Sequence, residues 1–322
     1  MFERRARIIR DGTTLSYDYV PDKLLHRDRQ MAELERMFSP LALDQRACSA
    51  FLFGGVGTGK TVTAKRFCLD MAEYFQGKSV RMGNRYVNCR IKGSEYAVML
   101  EIVRYFDPGF PERGFALDEL VTILRRNIES QKMAMVVTLD EADYLLKGNS
   151  KDLIYQLSRF SEGLSGGSLS LILVSQVSLA GMIDEASMST FRRANMISFD
   201  KYTTAEIREI MAYRAEIALE RDVLPSESLD LLARQSEEYG DARYALEILE
   251  RSAHIAESEG KPEIDLDCVR TAASSIYSDA SEVKLQHLDF NKKLALLAIA
   301  RAIKSAPSIS ITKCEKTYAI VC

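Results

Sequence analysis

The 322 residues carry 43 Lys and Arg against 46 Asp and Glu, a formal net charge of −3. No overall field therefore draws nucleic acid, and any such contact must come from local basic patches. A chain with 47 % hydrophobic and 28 % charged residues can bury a real core, and its length allows two domains with part of a third.

No apolar run is long enough to cross a bilayer, and the basic N-terminus lacks the apolar stretch of a signal peptide. The six cysteines are scattered without a Cys-x-x-Cys pair, and there are only three histidines, so zinc and disulfide frameworks are set aside. The expectation is a cytoplasmic protein.

In chain order, Ala50-Phe51-Leu52-Phe53 reads as a short buried strand feeding a glycine loop, with a helix over 61–74 behind it. A second strand is expected at 86–89. Apolar residues at three- and four-residue spacing predict helices over 95–105 and 117–129. The continuous apolar runs 133–139 and 169–174 fit central strands of a parallel sheet covered on both faces. Strands alternating with helices argue for an α/β sandwich up to about residue 200.

Beyond that point the strands stop. Thr203-Thr204-Ala205-Glu206 has the form of a capping box, and helices are expected near 226–238, 241–259 and 265–277, separated by Pro225, Gly240 and Gly260-Lys261-Pro262. Two more helices are expected over 288–304 and 310–321.

Gly54-Gly55-Val56-Gly57-Thr58-Gly59-Lys60-Thr61 satisfies Gly-x4-Gly-Lys-Thr between a strand and a helix. The backbone N–H groups from Gly55 to Val62 can converge on phosphate oxygens, and the helix N-terminus adds positive potential. Lys60 should reach the β- and γ-phosphates and Thr61 should offer its hydroxyl to Mg²⁺. ATP or ADP with Mg²⁺ is the expected cofactor.

The run 133–139 delivers Asp140 and Glu141 to the carboxyl edge of the sheet, where open α/β folds bind ligands. Asp140 is expected to hold Mg²⁺, and Glu141 to polarise the attacking water, which makes Glu141, Asp140 and Lys60 the candidate catalytic set.

The Asp140-Glu141-Ala142-Asp143 ending and the helical region after the sheet resemble an AAA+ ATPase. More narrowly, the chain resembles the archaeal replication initiators related to the eukaryotic origin recognition complex and its cell-division-control partner. Tyr19-Val20-Pro21-Asp22-Lys23-Leu24-Leu25-His26-Arg27 is similar to their N-terminal segment, which passes over the adenine. Tyr19, Val20, His26 and Arg27 are expected at the nucleotide on that ground.

Gly240-Asp241-Ala242-Arg243-Tyr244-Ala245-Leu246 resembles their sensor-2 motif, from which Arg243 would reach the γ-phosphate; Tyr213 is assigned to the same pocket. The residues give separate support. Asp241 suits a helix N-cap, and a cation so early in a helix opposes the dipole unless an anion lies there. Residues 106–115 fall where these initiators carry an extra element that touches DNA.

The resemblance implies an AAA+ P-loop base over 1–200, an all-helical lid over 201–279 and a partial winged-helix domain over 280–322. It implies a DNA replication initiator that binds and slowly hydrolyses ATP, a nucleotide switch for origin binding and helicase loading. The implied partners are origin DNA and the replicative helicase, with self-association or a paralogue, and a nucleoid-associated place in the cytoplasm without a membrane.

Three departures qualify this. Gln176 stands where the family has a γ-phosphate-sensing asparagine, and can donate the same amide hydrogen bond. Ala186 stands where an arginine is offered to a neighbouring subunit, with Arg192 and Arg193 close by. Residues 285–322 resemble only the opening helices of a winged helix, so duplex reading is expected to be weak. Arg4, Arg5, Arg7, Arg10, Lys92 and Arg113 are the basic residues that could meet phosphates. The alternatives are a nucleotide-binding paralogue with little or no turnover, and another AAA+ DNA-transaction ATPase, clamp-loader-like or a transposition helper.

Overall fold

A computed structural model describes residues 7–78, 80–147, 151–178, 195–236, 240–286, 288–303 and 318. Its centre is a five-stranded sheet built from β1 (Ser49–Gly54), β2 (Arg81–Asn88), β3 (Met133–Asp140), β4 (Ser168–Ser175) and β5 (Met196–Phe199). The strand order is β2-β3-β4-β1-β5, and every pair is parallel. The connections that join β1 to β2, β2 to β3 and β3 to β4 carry helices, as parallel pairing favours.

Alternation along each strand divides the interior into two layers. Ala134, Val136, Ile172 and Val174 face one side, with Phe38 and Leu34 of α1 (Asp28–Asp44) and Phe67 and Ala64 of α2 (Lys60–Phe75). Met135, Val137, Leu171 and Leu173 face the other. There they meet Ile102 of α4 (Glu95–Val103), Leu120 and Leu124 of α5 (Leu117–Gln131) and Leu157 of α7 (Lys151–Ser158). Two short helices, α3 (Cys89–Lys92) and α6 (Asp143–Lys147), follow the carboxyl ends of β2 and β3. β3 and β4 are buried along their whole length, which explains why both read as unbroken apolar runs.

The remaining helices are α8 (Thr204–Ala218), α9 (Ser226–Gln235), α10 (Ala242–Glu259), α11 (Leu266–Gln286) and α12 (Phe290–Ile303). α8 to α11 close a separate apolar cluster around Met211, Leu232, Leu249 and Val269. Ile8 and Leu15, although among the first residues, belong to this cluster, and Glu257 accepts from the backbone N–H groups of Ile8 and Ile9. The capping box is present: Thr203 accepts from the Glu206 N–H, and Glu206 accepts from the Thr203 N–H at 2.7 Å.

Several boundaries differ from the sequence reading. β2 starts at Arg81 rather than 86, because Met82 and Tyr86 are only half-buried and blur the apolar signal, and it ends before Cys89. Cys89 instead opens α3, whose N-cap Asn88 accepts from the Ile91 N–H. β5 is too short and too mixed in polarity to announce itself. α1 goes unread because Pro40 sits inside it; the Arg36 carbonyl that proline leaves without its helical partner receives the Ser39 hydroxyl at 2.9 Å. Of the two expected C-terminal helices, the first is α12, while 310–321 falls outside the described residues apart from Tyr318.

Candidate nucleotide-binding site

β1 carries the chain to Gly54, and α2 begins at Lys60. Between them, Gly57 (φ 68°) and Gly59 (φ 88°) adopt left-handed backbone that a side chain would strain. Both are also closely covered. A Cβ on Gly57 would lie 1.5 Å from Asp241 Oδ1, and one on Gly59 would lie 2.5 Å from the Tyr202 hydroxyl. The glycine loop is thus shaped by the helical region as well as by its own turn.

Lys60 Nζ donates to the carbonyls of Gly54 at 2.8 Å and Gly55 at 2.5 Å. Burial lowers its pKa, and the nearby Arg243 charge adds to that, while Asp140, Asp241 and Asp143 oppose it. Its hydrogen bonds go to neutral carbonyls rather than to a carboxylate, so the buried ammonium is matched to an anionic ligand.

Asp140, at the end of β3, is buried and fully engaged. Its Oδ2 accepts from Thr61 Oγ1 at 2.7 Å and from the Tyr86 hydroxyl at 2.7 Å, and its Oδ1 accepts from the Glu141 N–H at 2.8 Å. Glu141 sits at φ 51°, a left-handed conformation that costs a non-glycine residue roughly 1–2 kcal/mol. The turn is held by the Ala142 N–H donating to the Val174 carbonyl. Glu141 Oε2 lies 3.8 Å from Arg90 of α3.

The opposite wall comes from the helical region. Asp241 caps α10 by accepting from the Arg243 N–H at 2.8 Å, and the Ala242 N–H donates to the Gly57 carbonyl at 3.2 Å. Together the walls enclose a cavity of about 280 Å³. It is lined by Gly57 to Val62, Tyr86, Asn88, Asp140, Glu141, Tyr213, Arg214, Arg243 and Leu246, with Tyr17, Pro21, Leu24 and Leu25 at its apolar end.

A phosphate cradle, a buried cation and a set of apolar side chains thus line one cavity. Thr61 and Asp140 supply hard oxygen donors side by side. That donor set fits Mg²⁺, which takes few protein ligands and fills its octahedron with water and phosphate oxygens. Among the described residues no cluster of three His, Cys, Asp or Glu offers a cage for another metal.

Two family profiles match the chain: an AAA domain over residues 44–183, and a Cdc6 AAA+ ATPase-type lid domain over 208–274. An ORC1-type DNA replication protein of Thermococcus onnurineus is 30 % identical over 299 residues, covering 91 % of this chain and 72 % of that one. The chain belongs to the ORC1-type family.

A Sulfolobus acidocaldarius ORC1-type DNA replication protein is 28 % identical over 317 residues, covering 98 % of this chain and 79 % of that protein. Among solved structures, the Aeropyrum pernix Orc1 protein in complex with DNA superimposes with a TM-score of 0.79 at 26 % identity, covering 97 % of this chain and 81 % of that one. The AAA+ base with its parallel sheet and helical lid is the ORC1-type architecture.

In this ORC1-type chain the P-loop residues from Gly57 to Val62 converge with Asp140, Glu141, Tyr213 and Arg243 on one cavity. Gly55 stands just behind, its carbonyl turned to Lys60, and Val56 is exposed at the loop's tip. The N-terminal segment enters by other residues than expected. Tyr17, Asp18, Pro21, Lys23, Leu24 and Leu25 line the cavity, while Tyr19, Val20, His26 and Arg27 do not.

Each of those four is committed elsewhere. Tyr19 packs its ring on the Arg214 guanidinium, Val20 faces a second, smaller cavity, and His26 Nε2 lies 2.9 Å from Glu209 of the lid. Arg27 is buried beneath the P-loop. It donates to the Thr58 carbonyl at 3.0 and 2.8 Å and to the His26 and Asp200 carbonyls, and its guanidinium lies 3.8 Å from the centre of the Tyr202 ring. Burial lowers its pKa, while Tyr202 and Glu206 hold it charged. Its role here is to shape the loop.

Gln176 is exposed beyond the end of β4 and outside the cavity lining, because the strand stops at Ser175, whose hydroxyl ties to Val177. Ala186, Arg192 and Arg193 lie outside the described residues, as do Arg4 and Arg5. Residues missed by the sequence reading are Tyr17, Tyr86 and Arg214. No motif marks them; only the register Tyr86↔Thr138 and the packing of α8 bring in the latter two.

The expected DNA-touching element is anchored from within. Phe106, Phe110 and Phe115 pack on the base core, and Arg104 donates to the Phe110 carbonyl. Lys92 pairs with Glu101 at 2.6 Å, and Arg10 donates to the Glu216 and Ile217 carbonyls at the end of α8. Arg113 is exposed.

Proposed function

We propose that this chain is an ATP-binding replication initiator, a slow ATPase that acts as a nucleotide switch in origin binding and helicase loading. The observation that carries the reading is the joint wall. Lys60, Thr61 and Asp140 on the base and Arg243 on the lid face one cavity, and the Ala242 N–H is hydrogen-bonded to the P-loop itself. A ligand bridging the two walls biases their relative position, which is how hinge closure couples to ligand state.

The P-loop amides and Lys60 bind the phosphates, and Arg243 reads the terminal one. Tyr213, Leu24, Leu25 and Leu246 cover the base. Thr61 and Asp140 would hold Mg²⁺, which when bound neutralises charge building on the β- and γ-phosphates. Glu141 orients the attacking water. Tyr19, His26 and Arg27 serve the site by fixing the N-terminal segment and the P-loop. The Aeropyrum protein's complex with DNA supports origin DNA as the partner; a replicative helicase and self-association belong to the same reading. Cytoplasmic placement is consistent with the absence, among the described residues, of any helix long and apolar enough to span a membrane.

Nucleotide retention tests binding. Lys60→Ala should lose bound nucleotide, and its survival would show the site to be misassigned. Turnover is tested by steady-state ATPase against Glu141→Gln, where equal rates would end the hydrolysis claim. The second reading, a nucleotide-binding paralogue with little turnover, is favoured by one observation: Gln176, the expected γ-phosphate sensor, is exposed and not among the residues lining the cavity.

A further inference from the structure

The three hydrogen bonds at Asp140 divide unequally between the expected and the unexpected. Thr61 is its P-loop partner and the Glu141 N–H its chain neighbour, but Tyr86 comes from the adjacent strand with no motif to announce it. The register explains why it, and not another residue, arrives. Asn88 stands directly opposite Asp140 in the β2–β3 ladder, yet its side-chain oxygen is taken by the Ile91 N–H of α3. Tyr86, two residues earlier on the same face, is long enough to reach forward past it.

The phenol is fixed from several sides. Lys65 Nζ lies 4.7 Å from the centre of its ring, and the hydroxyl is held by Asp140 Oδ2 at 2.7 Å. A phenol carries one O–H to donate, and here it points at that carboxylate oxygen. The ring stands between the nucleotide cavity and the second cavity lined by Val20, Cys68 and Thr138.

We propose that Tyr86 is a positioning residue for the divalent cation. By donating to Asp140 Oδ2 it holds the carboxylate in the orientation that places this oxygen beside the Thr61 hydroxyl. Without the phenol, Oδ2 keeps only the Thr61 contact and the carboxylate is free to turn about its last torsion, which is broad for aspartate. Partners that orient a metal ligand without touching the ion commonly cost 10–100-fold in metal affinity when removed. Neutral nucleotide contacts, made by the P-loop amides and the apolar side chains, do not pass through this hydroxyl. The inference rests on the nucleotide reading above and assigns Tyr86 a part within it.

The experiment is a titration of Mg²⁺ into the full chain with a fluorescent ATP analogue, for wild type, Tyr86→Phe, Asp140→Ala and the double variant. Tyr86→Phe should raise the Mg²⁺ concentration at half-saturation by about ten-fold, a larger loss than any it causes to analogue binding in EDTA. In the Asp140→Ala background the same substitution should change nothing, since its effect runs through that carboxylate. An unchanged Mg²⁺ titration for Tyr86→Phe would overturn the inference. So would a loss of equal size in EDTA, or a full effect without Asp140. A wild-type chain that does not bind the analogue with or without Mg²⁺ would instead overturn the nucleotide reading, and binding that ignores Mg²⁺ would overturn this inference alone. Far-ultraviolet circular dichroism and melting of each variant guard the comparison.

Discussion

The two walls of the cavity are built on opposite plans. The base wall is local: Gly57 to Thr61 lie within one loop and one helix turn, and Asp140 ends a strand buried along all eight of its residues, with Glu141 next in the chain. The lid wall is assembled from distant pieces: Tyr17 and Leu25 from the N-terminal segment, Tyr213 and Arg214 from α8, and Arg243 from α10. The base wall's polar groups are already paired to one another, as at Asp140. The lid wall meets the P-loop through a few contacts, the Ala242 N–H to Gly57 bond among them. A wall set in a sheet can hold phosphates without moving. A wall on helices, touching the loop at few points, can shift when the ligand changes.

Arg27 is the sharpest test of that contrast, because it ties the loop to the segment leading into the lid. Arg27→Ala strips donors from the Thr58, His26 and Asp200 carbonyls and the cation from Tyr202. It should cost about 2–3 kcal/mol of stability, read from urea unfolding. A loss confined to a few tenths would mean that the P-loop is held by its own turn alone.

Gly57→Ala comes next. It forces an alanine into φ 68° and drives its Cβ into Asp241, so a loss of roughly 1–2 kcal/mol is expected from the backbone alone. Asp241→Gly in the same chain should recover the steric part. If it recovers nothing, the loop and the lid are less closely joined than the contact implies.

Arg243→Ala should leave melting unchanged while weakening ATP binding about ten-fold and ADP binding less, the loss of one charge-assisted contact to the terminal phosphate. Equal weakening of both nucleotides would remove the lid's role as a reader of that phosphate.

The last effect shows itself only in alkaline solution, and it falls on the base. Burial pushes the Cys68 thiol up to about 11 and the Cys89 thiol up to about 12, the latter helped by Asp140, Asp143 and Glu141. An unfolded thiol ionises near about 8.5. The folded chain therefore holds these protons more tightly. The stabilisation is complete below about 8.5 and is lost as pH rises towards the folded values. The urea midpoint should fall across that window, and a Cys68→Ala, Cys89→Ala chain should show a flatter profile.

How legible each wall was follows from the same contrast. The P-loop and Asp140-Glu141 were readable because their chemistry sits on consecutive residues, and β3 and β4 because burial on both faces leaves no polar interruption. Asp241 as the N-cap of α10 and the Thr203–Glu206 capping box were readable for the same local reason. α1 was hidden by Pro40, and β2 by half-buried residues at its start. Arg27 illustrates the limit best. Its place in a resembling segment pointed to the nucleotide, but whether a guanidinium meets a ligand or a carbonyl depends on what tertiary packing sets around it, here Thr58, Asp200 and Tyr202.

By itself, then, the sequence determined that a phosphate cradle is followed by a strand bearing two acids and by a helical region, since loop, strand and cap chemistry are settled among near neighbours. Only the tertiary structure decided that Tyr86 reaches Asp140, that Asp241 rests on Gly57, and that Tyr17 and Leu25 reach the cavity while Tyr19 turns to Arg214. Those choices depend on strand register and on helices packed from opposite ends of the chain, and a side chain's partner across such a distance is fixed only by the geometry that closes it.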